Sequence, residues 1–216
     1  MLRLYGHPLS TFCMKVAMAL YEAQTPFQHE LVDFGDEASR ARFYALAPLG
    51  KMPVLVDEDR GETVPETSII IDYLASVDPA AARLMPSDPA LAWKVRLADR
   101  IFDLHLQTPM QKIIDDRLRP DEAKDPFGVE QARGQLGRTL DVLERGRDRQ
   151  SWAVGEDFTF ADCSAAPALF YADKVVPFER SHAAMWAYFE RLKARPSFAR
   201  VLAEAEPYFH MYPAEA

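Results

Sequence analysis

Two hydrophobic rhythms divide the chain. Up to residue 77, short apolar runs alternate with stripes of helical period; beyond residue 90 only the helical period persists. Leu2 to Tyr5 reads as a short strand, followed by the turn Gly6-His7-Pro8. Thr11 to Ala23 reads as a helix, with Cys13, Val16, Ala17 and Leu20 on one face and Ser10 at the N-cap. A second strand is predicted over Phe27 to Val32, and the polar stretch Asp33 to Leu46 holds at most one irregular helix. Val54 to Asp57 and Glu62 to Pro65 flank Glu58-Asp59-Arg60-Gly61, a hairpin signal with glycine at the turn. Glu66 to Val77 closes this part as a helix, with Ile70, Tyr73, Leu74 and Val77 sharing a face.

That order of elements joins a parallel strand pair through a helix and adds a hairpin, which outlines a thioredoxin-like α/β domain. The Pro-rich stretch around Asp78-Pro79 and Met85-Pro86-Ser87-Asp88-Pro89 reads as a linker. The expected division is therefore residues 1–77, a linker over 78–89, and an all-α helical domain over 90–216. Helices are predicted near Leu91–Lys112, Gly128–Arg147, Thr159–Asp173, His182–Ala194 and Ser197–Glu206. Pro109 is expected to kink or end the first, and Arg195-Pro196 to end the fourth.

Composition narrows the function classes. Apolar residues make up 49% of the 216, enough for an ordinary core, and the net charge of −8 comes from interleaved charges. An acidic chain without a basic face is a poor partner for nucleic acid. No basic segment followed by an apolar stretch opens the chain, and no window has membrane-spanning length, so a soluble, cytoplasmic protein is expected. The two cysteines, Cys13 and Cys163, fit a reducing compartment, and the five histidines lack metal-ligand spacing.

Three segments carry candidate chemistry. In Tyr5-Gly-His-Pro-Leu-Ser10-Thr-Phe-Cys13 a strand ends, turns and delivers a hydroxyl to a helix N-terminus. The free N–H groups and helix dipole there favour an anion, although a serine N-cap alone needs no further role. In Gly50-Lys51-Met52-Pro53-Val54 a proline stands where a strand begins. A cis Met52-Pro53 bond would offer the Met52 backbone to an extended ligand, whereas a plain loop entry would not. In Pro65-Glu66-Thr67-Ser68 a carboxylate and a hydroxyl start another helix, suited either to an amino-acid end group or to simple capping.

Taken in this order and spacing, the segments resemble the glutathione S-transferase family along the whole chain. Tyr5-Gly-His-Pro-Leu-Ser10 resembles its Ser-type active-site entry, as in bacterial members. Gly50-Lys51-Met52-Pro53-Val54-Leu55 resembles its cis-proline motif, and Glu66-Thr67-Ser68-Ile69-Ile70 its Glu-Ser-x-Ala-Ile motif. Trp152-Ala-Val-Gly-Glu-Asp157-Phe-Thr159-Phe-Ala-Asp162 resembles a stretch of the helical domain. There Thr159 and Asp162 form a capping box with Phe158 at the staple position, a structural role.

The resemblance implies roles residue by residue. Ser10 would donate a hydrogen bond to the glutathione sulfur, and the Met52 backbone would pair with the cysteinyl unit beside a cis Pro53. Glu66 and Thr67 would hold the γ-glutamyl end, and Lys51 the glycyl or cysteinyl part. Basic residues that some members place before this motif fall at Ala38 and Ser39; nearby Arg40 or Arg42 are the available substitutes. Tyr5 and Thr11 are alternative hydroxyls to Ser10. Cys13, one turn into the helix on its apolar face, is expected to be buried and inert. Phe12, His105, Pro109, Met110 and Phe170 are candidate walls of a second-substrate pocket between the domains. The aromatic tail Pro207-Tyr-Phe-His-Met-Tyr212 is expected to dock back on the protein.

The implied reaction is attack of glutathione thiolate on a small hydrophobic electrophile, as in detoxification, by a homodimer. Glutathione would be a co-substrate, with no metal or prosthetic group. Alternatives are a non-catalytic glutathione-binding scaffold, or a glutathione-dependent isomerase or thiol reductase.

Overall fold

The computed structural model describes residues 1–147 and 151–213. The N-terminal part is a four-stranded sheet with helices, followed by an all-helical part. Strand β1 (Leu2–Gly6) lies inside the sheet, whose order is β2-β1-β3-β4. It pairs in parallel with β2 (Phe27–Leu31), Leu2 opposite Phe27, and antiparallel with β3 (Val54–Asp57), Tyr5 opposite Val54. The β3–β4 hairpin (β4, Glu62–Pro65) turns through Gly61 at φ 70°, a conformation that glycine adopts without a Cβ clash. Pro65 falls at the end of an edge strand, where its missing N–H costs no ladder bond.

Helix α1 (Thr11–Ala23) connects β1 to β2 and is buried at ten positions on nearly every side, more than one stripe accounts for. It packs on the sheet side against α3 (Thr67–Val77) and on the other against α8 (Phe160–Val175) of the helical part. Between β2 and β3 runs α2 (Glu37–Leu46), capped by Asp36. The linker carries a short helix, α4 (Pro79–Ala82), started by Asp78 as N-cap with proline in the first turn.

The helical part contains α5 (Pro89–Ile101), α6 (Thr108–Arg117), α7 (Pro126–Arg145), α8, α9 (Ala183–Lys193) and α10 (Pro196–Ala205). The predicted helix across Leu91–Lys112 is real, but Pro109 does not end it. A π-helical segment, Phe102–Gln107, joins α5 to α6. Pro109 has no N–H for the His105 carbonyl, and Thr139 Oγ1 of α7 donates to that carbonyl at 3.1 Å. The partner lost inside the helix is thus supplied from its neighbour. Arg195 likewise serves as the N-cap of α10, after α9 has ended at Lys193.

One continuous apolar core runs from Leu4 and Leu20 through Ile70 to Leu106, Leu136, Leu169 and Phe198, so the two parts share an interior. At its centre the Lys15 ammonium, 1% exposed, bridges Asp99 at 2.6 Å and Asp103 at 2.7 Å. A capping box closes the N-terminus of α8: Thr159 N–H donates to Asp162 at 2.8 Å. Asp162 also accepts from Ala153 N–H and Tyr188 O–H, each at 2.7 Å. No helix among the described residues is long and apolar enough to cross a membrane.

Candidate active site

Ser10 is the N-cap of α1, with extended backbone angles. Its N–H donates to the His7 carbonyl at 2.9 Å, closing the turn after β1. Its Oγ accepts from Cys13 N–H at 3.4 Å, a long bond, and α1 has no acidic residue in its first turn. A hydroxyl carries one donor hydrogen besides its lone pairs, so capping leaves that hydrogen available to a second partner. Capping and ligand binding are therefore compatible at this residue.

Two cavities flank this turn. The first, about 380 Å³, is lined by Phe12, Leu46 to Leu49, Lys51, Met52, Pro53, Pro65 to Thr67, Arg100, Asp103, Leu104 and Thr108. The second, about 440 Å³, is lined on the sheet side by His7, Leu9, Ser10, Thr11, Val32 to Gly35 and Met52. Its far wall is Met110, Gln111, Ile114, Leu118, Tyr171, Met211, Tyr212 and Pro213. Met52 belongs to both, so the cavities meet at its side. The Met52–Pro53 bond is cis, and among the described residues the Met52 backbone makes no hydrogen bond.

Glu66 closes the far end of the first cavity with φ 68°, a left-handed angle that a non-glycine residue holds at a cost of about 1–3 kcal/mol. Such strain at a cavity wall marks a backbone posed for something other than packing. The charges here are mixed. Arg100 pairs with Asp99 and Asp103, and it lies within range of the Glu66 charge. Burial pushes the Asp99 carboxyl up, but Lys15, Ser164 and Ser68 together hold it below the ordinary value. Asp103 ends above its ordinary value, through burial and the adjacent Asp99, despite Lys15.

The residues expected from sequence are distributed as follows. Lys51, Met52, Pro53, Glu66 and Thr67 come together around the first cavity, and Ser10 and Thr11 stand at the second. Tyr5 lines neither; its half-buried ring packs on Val32, Phe43, Ala47 and Val54. Of the expected second-pocket walls, Met110 lines the second cavity and Phe12 the first. Pro109 is buried, His105 is exposed, and Phe170 packs against Phe198 and Phe209; none of these three lines either cavity. Arg40 donates to the Phe34 carbonyl instead of reaching the first cavity, and Arg42 lines neither cavity. Cys13 is 1% exposed, and burial pushes its thiol up to about 11. The tail docks as expected: Tyr212 stacks on Tyr171 with ring centroids 5.6 Å apart. The sequence reading missed Arg100 and Asp103 in the first cavity and His7, Asp33 and Gln111 in the second.

Residues 4–82 match the family model for the glutathione S-transferase N-terminal domain, and residues 126–204 match that for the C-terminal domain. The chain belongs to the glutathione S-transferase family. It is 33% identical over 211 residues to glutathione S-transferase 3 of Zea mays, covering 94% of this chain and 93% of that one. Among solved structures, a glutathione S-transferase of Methylobacillus flagellatus with glutathione bound superposes with a TM-score of 0.85 at 22% identity, over 93% and 98% of the two chains. A glutathione S-transferase of Methylobacterium radiotolerans in complex with glutathione sulfonate gives 0.80 at 26% identity, over 93% of each. The expected fold, a thioredoxin-like domain followed by a helical one, is thus that of the transferases, and this chain is a glutathione S-transferase enzyme.

Proposed function

We propose that this transferase adds glutathione thiolate to small apolar electrophiles, with Ser10 Oγ donating the hydrogen bond that holds the sulfur. The observation that carries the reading is the order of groups along one groove. The Ser10 hydroxyl and the incomplete N-terminus of α1 lie beside an unpaired Met52 backbone. Beyond it, Glu66 and Thr67 close the groove.

The charges of that groove complement the tripeptide. Glutathione carries two carboxylates and one ammonium, and the first cavity offers Lys51 and Arg100 as cations with Glu66 and Asp103 as anions. In this reading the γ-glutamyl end lies against Glu66, Thr67 and Arg100. The glycyl carboxylate lies toward Lys51, which takes the part considered for Arg40 and Arg42. The cysteinyl unit pairs with the Met52 backbone, and its sulfur reaches the Ser10 turn.

A thiol with an ordinary pKa of about 8.5 is mostly protonated at neutral pH. A hydroxyl donor and an open helix end both favour the thiolate, lowering that pKa and supplying the nucleophile. The reaction then needs only the thiolate, an oriented electrophile and an apolar second cavity, with no metal or prosthetic group. A homodimer is part of the reading. Ile69, Trp93 and Leu97 are each at least half exposed on α3 and α5, helices held together by Arg96 and Asp72.

An ultraviolet titration of bound thiolate tests the role of Ser10. Ser10→Ala is expected to raise the bound-thiol pKa and to lower kcat on the order of 10²-fold, the usual cost of one donor to a developing or resident anion. Glutathione affinity should be retained through the remaining contacts. An unchanged thiol pKa in the variant removes Ser10 from the mechanism.

A further inference from the structure

A serine, a histidine and an aspartate stand in one hydrogen-bonded line where the loop before α9 meets α7, and none of the three lines either cavity. Backbone bonds fix the loop: Ser181 and His182 N–H both donate to the Phe178 carbonyl, at 3.1 and 2.9 Å. Glu144 of α7 caps α9, accepting from Ala184 N–H at 3.0 Å and Met185 N–H at 2.8 Å. His182 occupies the N-cap position, yet its side chain makes no capping bond, because Glu144 has taken that part. Its ring is engaged elsewhere. Nε2 meets Asp141 of α7 at 3.0 Å, and Nδ1 meets Ser181 Oγ at 2.8 Å. A carboxylate only accepts, so Nε2 carries a hydrogen, and in the neutral ring Nδ1 is a bare lone pair. The Ser181 hydroxyl also lies 3.3 Å from the Phe178 carbonyl, but its single hydrogen goes with the shorter contact. His182 is 9% exposed whereas Ser181 is exposed, so a shielded base sits beside an accessible hydroxyl.

We propose that Ser181 is a nucleophile of the protein's own, acylated by activated esters, with His182 as general base and Asp141 positioning the imidazole. Hydroxyl, base and orienting carboxylate are the parts that make a serine reactive, whatever fold carries them. Ser181 Oγ forms its bond to the acyl carbon while its proton passes to His182 Nδ1. Asp141 offsets the imidazolium charge that results. The bond from the acyl carbon to the leaving oxygen then breaks; the electron pair leaves with that oxygen, and the imidazolium returns the proton to it. Water, deprotonated by the same nitrogen, later releases the acid and restores the hydroxyl. Nothing is oxidised. The class of ester follows from how the neighbouring donors are spent. The N–H groups of Ala184 and Met185 are held by Glu144 and are closed to a tetrahedral oxyanion. The step then rests on the general base, which suits esters with a weakly basic leaving group, such as aryl esters, and not alkyl esters or amides. It uses neither glutathione nor the Ser10 turn.

The test incubates the enzyme, without glutathione, with 4-nitrophenyl acetate and follows acetyl groups on serine by peptide mass spectrometry. Ser87, exposed in the linker, is the internal reference. Initial acetylation at Ser181 is expected to exceed that at Ser87 by on the order of 10²-fold, the lower range for a positioned general base. His182→Asn keeps a side chain suited to an N-cap and removes the base, so it should bring Ser181 down to the Ser87 rate. Asp141→Asn should lower the Ser181 rate by about 10-fold, the range for a hydrogen bond to a charged group. Glutathione conjugation should be unchanged in both variants, which also reports their folding. Equal rates at Ser181 and Ser87 in the unaltered enzyme overturn the proposal whatever the variants do. So does an undiminished Ser181 rate in either folded variant, which would leave a line of bonds that only ties α9 to α7.

Discussion

Helices α1 and α8 both begin at a hydroxyl N-cap, and they end up doing opposite things. At α8 the Thr159 end is closed. Asp162 in the first turn supplies the anion that the helix dipole favours, and its oxygens are shared among Thr159, Ala153 and Tyr188. Nothing from outside is needed, and the end is buried. At α1 the Ser10 end is open. Its only capping bond is long, its first turn has no acid, and the residue borders a cavity. A helix end without its own anion beside a cavity is suited to capture one. The difference between a closed cap and an open one thus lies in what fills the first turn and what lies beyond it, and not in the capping residue.

If α1 can leave its end open, something else must hold it, and the buried Lys15 is the anchor. Lys15→Ala removes the buried cation and leaves Asp99 and Asp103 with only the partly exposed Arg100, and is expected to cost about 3–5 kcal/mol in urea unfolding. A loss below about 1 kcal/mol would show that the apolar burial of α1 suffices. Opening the closed end comes next. Asp162→Ala should destabilise by about 3 kcal/mol, from the lost cap and the donors left unsatisfied. The same measurement on Ser10→Ala should give a loss near ~0.5 kcal/mol, the low end for a cap, while its activity falls far more. Comparable stability losses at the two ends would erase the distinction drawn between them. The smallest effect is expected at Cys13. Burial pushes its thiol up to about 11, so it should resist iodoacetamide at pH 8, and Cys13→Ala should conjugate at close to the unaltered rate. Loss of turnover in a folded Cys13→Ala enzyme would revive thiol-exchange chemistry.

The readable parts of the molecule were those with local causes. Ser10 and Thr159 announced helix starts, Gly61 the hairpin, and the apolar stripe of α1 its period. The residues around Met52 and Glu66 could be named because they sit in short contiguous motifs, and they meet around one cavity. The second cavity resisted such reading. Its walls come from the loops after β1 and β2, from α6, from α8 and from the tail, so no single stretch carries its signature. His105 and Phe170 have suitable side chains on suitable helices, yet one faces solvent and the other is held by Phe198 and Phe209. Pro109 shows the same limit within one helix. Its missing N–H was visible, but not the Thr139 hydroxyl that offsets it from α7.

By itself the sequence determined where strands and helices begin, which residue heads α1, and that a thioredoxin-like domain precedes a helical one. Those features follow from propensity, capping and periodicity, which act over a few neighbouring residues. Only the tertiary structure decided that Lys15 would bridge Asp99 and Asp103 across the domain boundary, and that the turn from His7 to Ser10 would border a cavity closed by the tail. Such pairings depend on how elements distant in the chain pack, because burial and charge are properties of a place in the fold and not of a residue type.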